Sequence, residues 1–279
     1  MELNWLKVIQ WERYDGLLHG FMGRRGGNSV GPFAGLNVSY RVGDDNQVVS
    51  QNVCDVKHLV GIHDGKIVTM KQVHGDQIVE VKDKALKEAG EADGMVTAGT
   101  GIHLGVLTAD CVPILILAPK HKMVAAVHAG WRGTLMGIAA KMVRRFNDDY
   151  GVSADEIEVA FGPSIGACCY EVGPDVRRRF EEARWPESTM SRWFFTRPQP
   201  TMSNPSMAGL RAELRPGHWY FDSGRAASDQ LESAGVPRDQ IFVAELCTAS
   251  HPRALCSYRR DGADAGRIAG AIRARGDRR

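Results

Sequence analysis

His74, Cys111 and His128 are the residues of this 279-residue chain whose types and placing could do chemistry. Each stands at the end of a short apolar run, beside a glycine or a turn. They lie 37 and 17 positions apart, which is neither a zinc-finger nor a zincin spacing, so spacing does not group them. Three uses of the same residues stay open. If they converge, one thiolate and two neutral imidazoles make a three-ligand zinc site whose fourth position is left for water or substrate. Zinc would then lower the pKa of a bound water to about 7. With no metal, Cys111 would be a nucleophile activated by His128, with backbone amides as an oxyanion hole. In the third case Cys111 is a buried core residue and the histidines have no special task.

The elements that must position these groups are readable from the apolar pattern. Gly101–Gly133 holds Ile102–Thr108, Val112–Ala118 and Met123–Val127, three runs rich in Val, Ile and Leu that predict buried strands. Cys111, preceded by Asp110, and His128 fall at strand ends. An amphipathic helix is expected over 134–150, with Leu135, Ala139, Met142, Val143, Phe146 and Tyr150 in one stripe and Gly151 closing it. Its start at Trp131–Thr134 would turn unpaired amides toward the site. His74 lies in KQVHGDQ between expected strands Ile67–Met70 and Ile78–Val81, and Asp93-Gly94 reads as a turn.

Residues 17–43 open with a short strand and then become glycine-rich, with Arg24 and Arg25 beside Gly26-Gly27 as an anion-holding candidate. A helix is expected within 44–65, stopped at Gly61. Strands are expected at Ile157–Phe161 and Ile241–Ala244. Helices are expected at about 174–184, from the Asp222 cap through Leu231, and at about 263–274, where Ile268 and Ile272 stand four apart. Residues 185–217 lack a clean period and read as an irregular insertion with one strand at Trp193–Thr196. The irregular alternation of strands and helices predicts a single mixed α/β domain of layered sheets flanked by helices, α/β/β/α-like, with no doubly wound or barrel repeat.

Composition is that of an ordinary globular protein, 43% apolar and 24% charged. A net charge of +2 implies no polyanion partner. The arginine-rich end from Arg267 reads as a solvated terminus rather than a nucleic-acid arm. No apolar run is long enough to span a membrane, and no secretory signal is visible. The six cysteines, adjacent at 168 and 169 and otherwise widely scattered, therefore read as reduced thiols of a cytoplasmic protein.

HGFMGRRGGNSVGPFAGLN, KQVHGD, EADGMVT, LTADCVPIL, AVHAGWRGT, FGPSIGACCYEVG, ELCT and SYRRDGADAGR together resemble one family. It is the laccase-domain family, long labelled multicopper polyphenol oxidase, and the resemblance spans about residues 17–272. It implies purine nucleoside phosphorylase, adenosine deaminase and methylthioadenosine phosphorylase activities, with purine nucleoside and phosphate as partners. A peptidoglycan-precursor editing amidase is an alternative, as is a nucleotide-sensing protein without catalysis. The resemblance places the metal trio on His74, Cys111 and His128 with zinc as the ion. Copper is disfavoured, since the chain's nine histidines contain no His-X-His pair. Anion and substrate contacts are expected among Arg24, Arg25, Arg41, Arg132 and the amides of Gly130–Gly133. Asn37 is expected on ribose or base, and Asp93 and Asp110 in acid–base work or in orienting a ligand histidine.

Overall fold

The computed structural model describes residues 5–62, 65–204 and 215–274. Within it the three runs of the central stretch are strands His103–Thr108, Val112–Ala118 and Met123–Ala129. Every residue of the last two is buried, the pattern of strands covered on both faces. They pair antiparallel from Val112 opposite Ala129 to Ala118 opposite Met123.

Among the described residues, two six-stranded sheets and one three-stranded sheet form the framework. The first runs Trp5–Leu6, Leu18–Met22, Ile268–Arg273, His103–Thr108, Ile67–Lys71, Glu88–Glu91. The second runs Ile241–Val243, Glu158–Phe161, Val112–Ala118, Met123–Ala129, Gly94–Thr97, Ile78–Glu80. Strand alternation then builds two cores. Val68, Met70, Leu104, Val106 and Ile272 of the first sheet meet Met95, Leu115, Leu117, Val124 and Ala126 of the second. The opposite face of the second sheet, with Val112, Ile114, Ile116 and Val127, buries Ile138, Met142, Val143 and Phe146 of the Ile138–Tyr150 helix and Ala227 and Leu231 of the Ser223–Ser233 helix. On the outside of the first sheet, Met22, Val38 and Ala269 pack against Val56 of the Asn46–Leu59 helix. The result is the expected mixed α/β domain in four layers, α/β/β/α. No helix among the described residues is long and apolar enough to cross a membrane.

The sequence expectations need correction in two places. The segment expected as a terminal helix over 263–274 is instead the strand Ile268–Arg273, central in the first sheet between Leu18–Met22 and His103–Thr108. The two isoleucines, four apart, satisfy a strand's alternation as well as a helix's stripe. The helix after His128 is also two helices, Trp131–Leu135 and Ile138–Tyr150, separated where Gly137 takes a left-handed φ of +73°. Within the insertion lie the short helix Glu187–Met190 and the strand Phe194–Phe195, and the strand joins the three-stranded sheet by pairing with Trp219–Phe221. Residues 205–214 of that insertion, and 275–279 of the arginine-rich end, lie outside the described residues.

Candidate metal centre

His74, Cys111 and His128 converge. Their nearest ligand atoms all lie within 4.8 Å of one another, with Cys111 Sγ 3.9 Å from His74 Nε2. The two imidazoles meet edge to face, 4.9 Å between centroids. His74 is exposed, Cys111 partly so, and His128 buried, so the cluster opens to solvent on the His74 side.

Asp93 holds this arrangement together. Fully buried, its carboxylate accepts hydrogen bonds from the backbone N–H groups of Val73 (3.1 Å), His74 (3.0 Å) and Gly75 (2.7 Å). It also accepts from His128 Nδ1 at 2.7 Å, and the Asp93 carbonyl accepts from the His128 amide at 2.8 Å. One carboxylate therefore fixes the loop that carries the first histidine and the ring orientation of the second. With Nδ1 donating to Asp93, Nε2 of His128 is the atom left for the cluster. The loop is also tied to the first sheet, since the Gln72 amide exchanges two hydrogen bonds with the backbone of Leu107. His74 itself sits at φ +59°, a left-handed conformation that a non-glycine residue keeps only when its surroundings hold it there.

Asp110 does comparable work on the other side. It takes φ +90°, and its carboxylate accepts from Thr248 Oγ1 and from the Arg259 amide, both at 2.5 Å. These bonds bring the ELCT and SYRRDG segments against the turn that presents Cys111. Burial is the larger influence on Asp110 and raises its carboxyl above the usual range, against those donors.

The electrostatics favour the ligand form of the thiol. Burial pushes Cys111 up, but the charge and hydrogen bonds of His128 and His74 outweigh it and bring the thiol down to about 6. Burial pushes His128 down, while Cys111 and Asp93 outweigh it and raise the ring to about 9. Asp93 is likewise raised by burial but lowered further by His128 and the loop amides, so it stays ionised. The site also has a cradle of defined size. A Cβ on Gly130 would stand 2.9 Å from His74 Cδ2 and 3.2 Å from Cys111 Sγ, so only glycine leaves the three donors their present spacing. One thiolate, two imidazoles, a buried carboxylate behind one of them and an open side fit a metal with one exchangeable position.

The other sequence candidates separate into near and distant groups. Gly130 is in the cradle. Arg132 follows it, exposed, with its guanidinium 4.4 Å over the Trp131 ring. Asn37 is buried and fully engaged within the fold: its Oδ1 accepts from the amides of Ser39 and Arg267, and its Nδ2 donates to Asp44 and to the Ser39 carbonyl. Arg24 is committed to the carbonyls of Ala34, Pro32 and Pro252 and to Asp261, and Arg25 donates to the Arg253 carbonyl. Both staple the glycine-rich loop. Arg41 pairs with Glu88 at 2.7 Å and lines a cavity of about 420 Å³ beside the Asn46–Leu59 helix, apart from the trio.

Tyr170 and Arg259 are neighbours with no role expected from the sequence, although both lie in motifs quoted above. The Arg259 guanidinium sits 5.1 Å over the Tyr170 ring and donates to the Glu171 carbonyl at 2.7 Å. Burial, then the charge of Cys111, pushes the Tyr170 hydroxyl up.

Residues 18–275 match the family described as multi-copper polyphenol oxidoreductase laccase. The chain is 34% identical to a Geobacillus stearothermophilus protein named purine nucleoside phosphorylase YlmD, over 91% of this chain and 89% of that one. It is 31% identical to mouse purine nucleoside phosphorylase LACC1, covering 92% of this chain but 56% of the longer mouse protein. The crystal structure of YlmD superposes with a TM-score of 0.81 over 94% of this chain and 93% of that one. A Bacillus licheniformis hypothetical protein YfiH superposes with a TM-score of 0.84 at 28% identity, over 97% and 96% of the two chains.

Proposed function

This chain belongs to the multi-copper polyphenol oxidoreductase laccase family, and from that premise we propose that it is a cytoplasmic, zinc-dependent purine nucleoside phosphorylase. Its substrates are adenosine, inosine, guanosine or methylthioadenosine, with phosphate as the second reactant. The products are the free base and the 1-phosphate of the sugar. Hydrolytic deamination of adenosine to inosine belongs to the same site. The observation that carries the proposal is the convergence of His74, Cys111 and His128 on a cradle organised by Asp93, in a chain whose relatives are named for phosphorolysis.

His74, Cys111 and His128 hold the ion, and Asp93 is a positioning residue. When bound, zinc supplies Lewis acidity and lowers the pKa of water. Two imidazoles and one thiolate suit zinc, and neither reaction needs the redox change for which copper would be chosen. The remaining groups supply binding. Tyr170 offers an aromatic face for a purine ring. Arg132 offers a solvent-reachable guanidinium for phosphate, and Arg259 holds Tyr170 in place through its backbone contacts. The open His74 side gives both reactants one route in.

Cys111→Ser tests this directly. Purified wild type is expected to hold about one zinc per chain and to release hypoxanthine from inosine only with phosphate. The variant is expected to lose both. Undiminished turnover by a zinc-free Cys111→Ser protein overturns the assignment.

A further inference from the structure

A second cluster of soft ligands lies outside the centre just described. Cys168, Cys169 and Cys247 bring their three sulfur atoms within 4.8 Å of one another. Two come from the turn after the Glu158–Phe161 strand. The third comes from the ELCT segment, which bridges in parallel to Ser164. Cys168 and Cys247 are 0% and 2% exposed, and Cys169 is half-buried. The sulfurs of Cys168 and Cys169 are 3.4 Å apart, in contact but unbonded. None of the three belongs to the His74 centre.

We propose that Cys168, Cys169 and Cys247 form a separate, all-sulfur site for a monovalent thiophilic cation, Cu(I). Metal–sulfur bonds of about 2.3 Å in a trigonal arrangement put the sulfurs about 4 Å apart, a spacing this cluster approaches without backbone movement. The donor set selects the ion. It contains no imidazole or carboxylate, and thiolates alone favour Cu(I) over harder divalent ions. Three ligands suffice for Cu(I), whereas zinc asks for a fourth, and the immediate surroundings are the apolar Ile165 and Ala249 with Tyr170. A donor to thiolate sulfur is in place. The Gly166 amide points at Cys247 Sγ at 3.4 Å. Buried Asn204 Nδ2 has no hydrogen-bond partner among the described residues. Binding releases the thiol protons that remain, and no electron changes hands.

The test is anaerobic Cu(I) titration of the full chain against a bicinchoninate competitor, with copper X-ray absorption on the product. His74→Ala serves as the background, because it disables the first centre at an exposed residue. The expected result is one tightly held Cu(I) per chain with a sulfur-only first shell, and affinity lowered at least tenfold by Cys247→Ser. Cys169→Ser, which alters the half-buried member, gives the same reading if Cys247→Ser does not fold. A nitrogen in the copper shell overturns the proposal. So does absence of uptake by folded His74→Ala protein, or a Cys168–Cys247 disulfide in the protein as purified. Loss of phosphorolysis in His74→Ala bears on the first centre alone, so the two assignments fail separately.

Discussion

Asp93→Asn removes one oxygen and one charge and leaves the shape of the side chain almost unchanged, so its consequences follow from hydrogen-bond capacity. In the native site Oδ1 accepts from the His74 amide and from His128 Nδ1, and Oδ2 accepts from the Val73 and Gly75 amides. Asparagine can present an acceptor at only one of these positions. At the other its NH2 faces two donors it cannot satisfy. Each buried donor left without a partner costs about 1–3 kcal/mol, so the folded state is expected to lose about 2–6 kcal/mol. If the NH2 falls on the Oδ1 side, His128 must change tautomer or rotate, and Nε2 is no longer held toward the cluster as a ligand atom. Losing such an outer-shell partner typically lowers metal affinity about 10–100-fold. The assays are chemical denaturation of the metal-free protein and zinc competition with a chromophoric chelator. A variant within about 0.5 kcal/mol of wild type, with unchanged zinc affinity, would refute the view that Asp93 organises the centre.

Gly130→Ala should weaken zinc at least tenfold with little loss of folding stability. Its backbone, at φ −74°, accepts alanine, while the new Cβ meets His74 Cδ2 and Cys111 Sγ at 2.9 and 3.2 Å; the same chelator competition reads it. Thr248→Val should cost about 1.5–3 kcal/mol, a hydrogen bond to a charged acceptor, because Asp110 loses its 2.5 Å donor; urea denaturation measures it. His103 is held down to about 4 by burial, with Arg273 and Lys57 adding to it. Between about pH 6.5 and 4 the unfolded chain binds a proton that the folded one refuses, so stability falls as the pH is lowered through that window. The contribution is on the order of 3 kcal/mol, and His103→Gln should flatten the stability–pH curve there; an unchanged slope removes His103 from the account.

The layered fold was legible where burial is continuous. Val112–Ala118 matches its strand residue for residue, because a run covered on both faces admits few other conformations. The Ile268–Arg273 strand was illegible for the converse reason: two isoleucines four apart fit either period, and what decides between them is the pairing to Phe21 and Val106, remote in sequence. At the site, the three ligands were recognisable by residue type and strand-end position, but no local spacing brings them together. The arginines and Asn37 show the limit more sharply. A guanidinium beside glycines looks free in sequence, yet Arg24 is taken up by carbonyls reaching from Pro32 to Pro252. Such capture is a property of the folded loop and has no local signature.

Two carboxylates divide the construction of this centre, and their opposite electrostatics explain how. Asp93 is fully buried yet held below the ordinary carboxylate range by an imidazole and backbone amides. It therefore acts as a fixed negative charge behind His128 and keeps that ring charged, facing a thiolate, until a cation replaces the proton. Asp110, one residue from the thiol, is raised by burial and binds no histidine; its partners are a hydroxyl and an amide from the far end of the chain. The first carboxylate thus sets the charge behind His128 and holds both histidines, while the second fixes the turn that presents Cys111. Loss of Asp93 should appear in metal affinity and stability together, and loss of the Asp110 contacts in stability before metal affinity.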